Sequence, residues 1–292
     1  MAFGPYFLLA TLEGLVTAAV LALMALGLSL VFGVMRVVNV AHGEFYMLGA
    51  VLAWWFASLF GGHPAIGFLV ALVLSPLVVA AIAFVAERLV LSRLKYEPEA
   101  TIVATIGLLY IIQQLALTFY GPEARPVEAP FHYRMQLPWF GYSAYKLAVI
   151  GFSIIMMLAT WFVLTRTKIG LVMRATQFDR ETAQAFGIPV GRVYAGVFAL
   201  GAGLAAVAAV LIVPIQQAHY LMGHDPLLLS FIVVIIGGLG SIEGSLLGAL
   251  MVGLLGNYVA FIFPKLSLAS NMILMMAILL WRPLGLRPAV GK

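Results

Sequence analysis

Four polar side chains stand close together in an otherwise apolar part of the sequence: Arg36, Asn39, His42 and Glu44. In a membrane segment a charged group costs roughly 2.5–3.5 kcal/mol at the bilayer centre, so it usually faces a bundle interior or a wet cavity. A buried carboxylate there can couple movement of a solute to an ion or a proton, and Glu44 is the candidate. The cluster can instead line the route of the solute itself.

Enzymatic chemistry finds little support in the sequence. The run Gly240–Ser245 reads Gly-Ser-Ile-Glu-Gly-Ser, but its serines lack a nearby base of the kind that activates a nucleophile. No His/Asp/Glu group has convincing metal-ligand spacing, and the absence of cysteine excludes zinc–thiolate sites and disulfides. We therefore predict no catalytic residue and no metal site, and we do not expect an enzyme.

The composition indicates a membrane protein. Hydrophobic residues make up 64% of the 292 positions and charged residues only 9%, whereas a soluble domain carries about 25% charged residues. So few charges cannot cover a surface that faces water. The net charge of +5 does not indicate nucleic-acid binding, because Lys and Arg lie mainly in short connectors, as the positive-inside rule expects.

The apolar runs predict an all-α polytopic bundle with about eight or nine hydrophobic segments, some broken or re-entrant. We expect a single transmembrane domain over residues 1–292. The segments are, approximately, Tyr6–Phe32, Val37–Phe60, Ile66–Val85, Ala100–Phe119, Ala144–Leu164, Val193–Val213, Leu227–Ile236, Leu246–Phe263 and Leu268–Trp281. The Pro-rich stretch Tyr120–Tyr142 is not expected to hold a continuous helix.

The basic connectors predict the orientation. The stretches Glu87–Glu99 and Thr165–Arg192 are basic, and the C-terminal tail carries Arg282, Arg287 and Lys292. If every segment crosses once, all three lie on one side, which should be the cytoplasm. The N-terminus and the loops near residues 122–138 and 216–226 then face outward. The alternation fails if residues 227–241 are re-entrant.

Two glycine-punctuated stretches do not fit simple spanning helices. If residues 33–44 were helical, one face would hold Arg36, Asn39, Gly43 and Met47, but an irregular backbone is equally compatible with the sequence. Residues 237–244 contain four glycines, each costing a helix about 1 kcal/mol relative to Ala. Unwound backbone at membrane depth survives only where protein buries it or a cavity wets it. Both stretches therefore indicate either a transport pathway or tight helix packing.

The connector Thr165–Arg192 predicts a short helix between two spans. Gly187 suits the position after a helix end, and Pro189 prevents its continuation. Phe178, Thr182 and Ala185 can line one face, while Arg174, Asp179 and Arg180 stay in water. Such a helix suits docking into a groove on another protein; the alternative is a solvated loop whose charges only set the topology.

Three blocks carry a resemblance to known permeases: Gly27–Ala50, Phe231–Gly244 and the connector Gly170–Ile188 with its Gly-x-x-x-Arg-Ala…Ala…Gly-Ile pattern. Over nearly the whole chain the sequence resembles the LivH-type permeases of the branched-chain amino acid ABC importers. Asn39-Val40-Ala41 is a variant of that family's more familiar Asn-Phe-Ala.

The resemblance implies the permease subunit of an ATP-binding cassette importer for branched-chain or related hydrophobic amino acids in the bacterial inner membrane. Related permeases import urea, short amides or aromatic acids, so the substrate stays open. The expected pathway residues are Asn39, His42, Gly43, Glu44, Tyr46, Gly237, Gly238, Gly240 and Ser241. In the coupling loop, residues 165–192, the expected ATPase-coupling residues are Gly170, Met173, Arg174, Ala175, Asp179, Ala183, Gly187 and Ile188.

The same resemblance implies partners. They are a second homologous permease subunit or a second copy of this chain, two cytoplasmic ATPase subunits and an extracytoplasmic substrate-binding protein. The chain has no Gly-x-x-x-x-Gly-Lys-Ser/Thr loop, so we expect ATP on the partner subunits and no cofactor on this chain. The rival functions are a secondary transporter driven by an ion gradient, with Glu44 as its coupling group, and a passive channel.

Overall fold

The computed structural model describes residues 3–287, so Lys292 of the basic tail lies outside the described residues. The described chain is helical apart from its connectors and one small hairpin. Its helices are α1 (Phe3–Met35), α2 (His42–Ser58), α3 (Pro64–Leu89), α4 (Pro98–Phe119), α5 (Ala144–Arg166), α6 (Lys168–Phe178), α7 (Arg180–Ala185), α8 (Val190–Ile212), α9 (His224–Gly237), α10 (Ile242–Ile262) and α11 (Ser267–Trp281). Strands β1 (Arg134–Gln136) and β2 (Gly141–Ser143) form an antiparallel pair.

The all-α membrane class predicted from composition is confirmed. Within residues 3–287, seven helical stretches are long and apolar enough to cross a bilayer: α1, α3, α4, α5, α8, α10 and α11 with the short turn before it. The remaining apolar helices, α2 and α9, have 17 and 14 residues. At 1.5 Å per residue they are each shorter than the roughly 30 Å hydrocarbon layer.

Helices α1 and α8 form the centre of the bundle. Both are buried over most of their length, whereas α4, α5 and α11 expose broad apolar faces suited to lipid. Small residues let the two central helices touch: a Cβ placed on Gly201 would lie 2.8 Å from the carbonyl oxygen of Gly27 and 2.9 Å from Cγ2 of Val31. This is the close approach that glycine permits between helices in lipid.

One end of the bundle, which we call the basic end, gathers the three basic stretches. Arg180 of α7 lies 5.6 Å from the ring centres of both Tyr96 and Tyr194, and the Arg287 N–H donates to the carbonyl of Gly237 at 3.0 Å. The connector after α3, the connector after α5 and the tail therefore share one end, as the charge pattern predicts. Its assignment to the cytoplasm stays a prediction.

The opposite end brings together the loops predicted to face outward. Arg125 and Ala218 exchange two backbone hydrogen bonds of 2.9 Å. The Lys146 Nζ donates to Oε1 of Glu13 at 2.6 Å. As the prolines predict, no helix forms between Tyr120 and Tyr142; β1 and the first residues of β2 lie there instead.

The first glycine-punctuated stretch is irregular, so the helical alternative is wrong. Helix α1 ends at Met35 and Arg36 takes a positive φ of 57°. The Asn39 side chain accepts from the Ala41 N–H at 3.1 Å, and the Val40 N–H donates to Oγ1 of Thr105 at 3.3 Å. Side chains and turns thus satisfy a backbone that leaves the helix, and the predicted common face including Gly43 and Met47 does not form.

The second stretch breaks where its glycines predict. Helix α9 ends at Gly237, and Gly238 and Gly240 have φ values of 106° and 78°. The Ser241 hydroxyl then accepts from the Gly244 N–H at 3.1 Å and caps α10. Left-handed backbone favours glycine because a Cβ would clash there.

The connector after α5 contains two helices rather than one. The carboxylate of Asp179 accepts from the N–H groups of Glu181 and Thr182 and so begins α7 immediately after α6 ends. The predicted single face of Phe178, Thr182 and Ala185 is therefore wrong, because Asp179 changes the chain direction between Phe178 and the other two. Gly187 follows α7 with a φ of 80°, as predicted for a residue after a helix end.

Candidate substrate pathway and coupling surface

The starts of α2 and α9 meet inside the bundle. Gly43 and Gly223 touch through their backbones, and a Cβ on Gly43 would lie only 2.6 Å from the Gly223 carbonyl oxygen. The His42 Nε2 lies 3.0 Å from the carbonyl oxygen of Met24, roughly 16 Å along α1 from its end at Met35. We call this meeting point the junction.

From the junction the two short helices run in opposite directions. At the end of α2, the Trp54 ring meets the Tyr120 ring edge-on at 5.2 Å, and the Tyr120 hydroxyl donates to the carbonyl of Ala218 at the opposite end. At the end of α9, Gly237 lies beside Arg287 at the basic end. Each helix thus crosses about half of the bundle. The outward loop predicted for residues 216–226 therefore turns inward at its end, because α9 already begins at His224.

A buried carboxylate lies at the junction. The Glu44 side chain is 1% exposed, and its Oε1 lies 3.7 Å from Nε2 of His224. The Nε2 of Gln113, on α4, lies 2.9 Å from the same ring nitrogen. Sequence analysis singled out Glu44 but missed Gln113 and His224.

Two polar pairs in or beside apolar segments are the sequence signal that could have revealed Gln113 and His224. The pair Gln113-Gln114 interrupts an apolar segment, and His224-Asp225 opens the next short one. In the structure Gln114, His224 and Asp225 are exposed and Gln113 is half-buried. Because exposed polar groups are costly in lipid, a face of this kind is typical of a surface covered by water or by protein.

The other predicted residues near the junction are structural supports in this arrangement. Asn39, His42 and Tyr46 are buried. Asn39 closes the turn before α2 through Ala41, and His42 contacts α1. They hold the start of α2 against its neighbours.

The predicted pathway residues fall into two separate groups. The second group, which consists of Gly237, Gly238, Gly240 and Ser241, lies at the basic end. A Cβ on Gly238 would lie 2.9 Å from the Arg287 carbonyl oxygen, and one on Gly240 2.8 Å from Cα of Gly33. These glycines therefore permit close packing between α1, α10 and the tail, and they do not join Glu44.

The predicted coupling residues divide into a buried and an exposed set. Gly170, Met173 and Ala183 are buried and anchor α6 and α7, and Ala175 and Ile188 are partly buried. Arg174, Asp179 and Gly187 are exposed, and next to them Phe178 and Phe186 expose 79% and 84% of their surface. Exposed aromatic rings amid polar groups at the basic end suit contact with another protein.

Hydrogen bonds fix the charge state of the helix cap. The Thr182 hydroxyl and N–H donate to Asp179 and, with the Glu181 N–H, hold the pKa of its carboxyl below the usual range. The carboxylate is therefore ionised at neutral pH and suits the partly positive start of α7.

A polar cluster links α7 to two other elements. Arg180 lies 5.6 Å from the ring centres of both Tyr96 and Tyr194, and these two rings meet edge-on at 4.6 Å. The Tyr96 hydroxyl donates to Oε1 of buried Glu87 at 2.6 Å, and burial together with this bond raises the pKa of Tyr96. Movement of α7 would therefore reach both α8 and the end of α3.

Among residues 3–287, no group of three or more His, Cys, Asp or Glu side chains is arranged to hold a metal ion.

A sequence model of the family described as "Branched-chain amino acid transport system / permease component" matches residues 10–281. The chain belongs to this family. The permease is therefore a multi-pass membrane protein, and the resemblance noted in its three sequence blocks is confirmed.

Relatives of the permease span the same length. It is 27% identical to the high-affinity branched-chain amino acid transport system permease protein BraD of Pseudomonas aeruginosa, with 98% of each chain covered. It is 28% identical to LivH of Escherichia coli K12, again with 98% of each chain covered. A probable LivH of Methanocaldococcus jannaschii is 27% identical, covering 94% of the permease and 91% of that relative.

Proposed function

We propose that this chain is the membrane-spanning subunit of an ATP-driven importer for branched-chain or related hydrophobic amino acids. One observation carries the proposal: the full-length match to permease proteins whose names give that transport activity. The structure is compatible with it, since a half-crossing helix pair with a polar junction is a familiar arrangement for a transport site.

In this proposal ATP binds to partner subunits and the chain itself catalyses no reaction. The absence of a phosphate-binding loop from the sequence supports this division. One of the two ATPases would dock on α6 and α7 of this chain, with the exposed Phe178 and Phe186 rings entering grooves on its surface. Nucleotide binding favours one of two conformations only if it stabilises them differently.

The path of force follows from the contacts of the coupling helices. A displacement of α7 would be transmitted through Arg180 to Tyr194 of α8 and to Tyr96. The Tyr96 hydroxyl is in turn hydrogen-bonded to Glu87 of α3. Because α8 packs against α2 at Ala206 and Gly49, tilting α8 would move the half-crossing helix that begins at the junction. A second permease subunit would face the polar side of α4 and α9 across the pathway, and a binding protein would deliver the solute at the opposite end.

Uptake in cells tests the function and the substrate class together. We expect cells that lack this chain to lose high-affinity uptake of labelled leucine and to regain it with the wild-type chain. Excess unlabelled isoleucine or valine should compete, whereas urea, short amides and benzoate should not. If only urea, a short amide or benzoate competed, that compound would be the substrate instead of an amino acid. Unchanged leucine uptake in the deletion strain would reject the proposal.

A further inference from the structure

The carboxylate of Glu44 is buried without a complete set of partners. Its Oε2 has no hydrogen-bond partner among the described residues, and the backbone of α2 fixes its position at the junction. A carboxylate removed from water is stable only if a proton, a cation or hydrogen-bond donors compensate it. A proton, or a positive group that approaches the junction, would supply this compensation.

The neighbouring side chains leave that need unmet. The amide nitrogen of Gln113 donates to Nε2 of His224 at 2.9 Å, so this ring nitrogen accepts and has no proton for Glu44. The 3.7 Å separation between Nε2 and Oε1 of Glu44 is longer than a hydrogen bond.

The junction also borders an open surface. The His224 side chain, which covers Glu44, is 52% exposed, and Asp225 beside it is exposed. The His224 ring thus lies between the carboxylate and the face formed by α4 and α9. Asp225 adds negative charge at the same place and favours the approach of a cation.

On the basis of the proposed function, we propose that Glu44 binds the α-ammonium group of the transported amino acid as it passes the junction. Gln113 acts as a positioning residue, because it keeps Nε2 of His224 unprotonated and so keeps Glu44 available. An amino acid with an apolar side chain carries one cationic group, and the ammonium group matches this carboxylate in charge and in hydrogen-bond donors.

The test uses the complete importer in proteoliposomes, with ATP supplied to the ATPases and leucine-loaded binding protein at saturation. Leucine uptake and ATP hydrolysis are measured together. We expect Glu44→Gln to lower leucine transported per ATP by about tenfold, the effect of losing roughly one strong polar contact. Stimulation of ATP hydrolysis by the binding protein should persist. Glu99→Gln, on the exposed first turn of α4, is the charge-matched control and should transport normally.

A second pair of variants decides the case if Glu44→Gln does not assemble. Gln113→Leu frees Nε2 of His224 to carry a proton to Glu44, so leucine per ATP should fall. The neighbouring Gln114→Leu should leave it unchanged. Wild-type leucine per ATP in Glu44→Gln, or equal values for the two leucine variants, would overturn this site. Absence of ATP-dependent amino acid uptake by the wild-type importer would instead reject the proposed function.

Discussion

Asp179 divides the coupling loop into α6 and α7, and its carboxylate holds the first N–H groups of α7. We predict that Asp179→Ala weakens α7 and lowers the ATP hydrolysis that loaded binding protein stimulates. Asp179→Asn should preserve most of it, because asparagine is also a preferred cap. Stimulated hydrolysis in the reconstituted importer measures both variants. Equal losses of stimulated hydrolysis in the alanine and asparagine variants would show that the negative charge, and not the helix cap, matters.

The lowered pKa of Asp179 gives this cap a defined pH dependence. A depressed folded pKa means that the contribution is full above the unfolded value of about 3.9 and is lost as the pH falls through the folded value. The difference in α7 stability between wild type and Asp179→Asn should therefore stay constant from about pH 8 to about pH 5. Hydrogen exchange of the α7 amides would measure it, and a change within that range would contradict the assignment.

Gly187 sets the direction of the chain between α7 and α8 with a φ of 80°. Proline fixes φ near −65°, so Gly187→Pro cannot adopt this backbone. We predict that Gly187→Pro inserts into the membrane but loses stimulated ATP hydrolysis, whereas Gly187→Ala, at a cost of about 1–2 kcal/mol, loses only part of it. Immunoblots of membranes verify insertion. Normal uptake by the proline variant would remove this turn from the coupling route.

At the scale of the helices, the contact between the starts of α2 and α9 depends on two glycines. A Cβ on Gly223 would collide with the carbonyl oxygen of Gly43, which is a backbone atom. Because overpacking typically costs about 1–3 kcal/mol and backbone cannot move aside freely, Gly223→Ala should lower the melting temperature and the yield of monodisperse protein in detergent.

Gly151, in the middle of α5, is the matched control for that variant. Nothing lies within 4 Å of a Cβ placed there, so Gly151→Ala should be neutral or should gain up to about 1 kcal/mol of helix propensity. Equal melting temperatures for Gly223→Ala and Gly151→Ala would show that the two helix starts do not pack as described.

Local sequence signals predicted where the helices begin and end better than they predicted which helices contact one another. Hydropathy predicted the nine apolar segments, and Gly238 and Gly240 predicted the break before α10, because both signals lie in neighbouring residues. The depth at which α2 begins depends on His42 and Gly43 meeting α1 and α9, which are distant in sequence. Spacing could not predict that contact.

The candidate site shows the same division between local and distant information. Glu44 was predictable because an acidic residue in an apolar stretch is rare. Its partners Gln113 and His224 were not, because they come from two other helices that only the tertiary fold brings together. The division of the coupling loop at Asp179 had a local signal, a preferred cap residue directly after Phe178.

For the whole molecule, the position of the two ends relative to the membrane follows from charge and can be measured directly. The chain contains no cysteine, so single substitutions give labelling without background. We predict that Glu128→Cys reacts with an impermeant maleimide from outside intact cells, and that Gln184→Cys reacts only after the inner membrane is opened. Both residues are exposed. The reverse pattern would place the coupling loop outside the cell.

The energy source of transport is the property on which the whole account depends. Proteoliposomes that contain the purified importer should accumulate leucine when ATP is supplied to the ATPases and loaded binding protein is present at the opposite face. A proton gradient without ATP should give no uptake. Accumulation driven by the gradient alone, and unaffected by ATP, would contradict the account and identify an ion-coupled transporter.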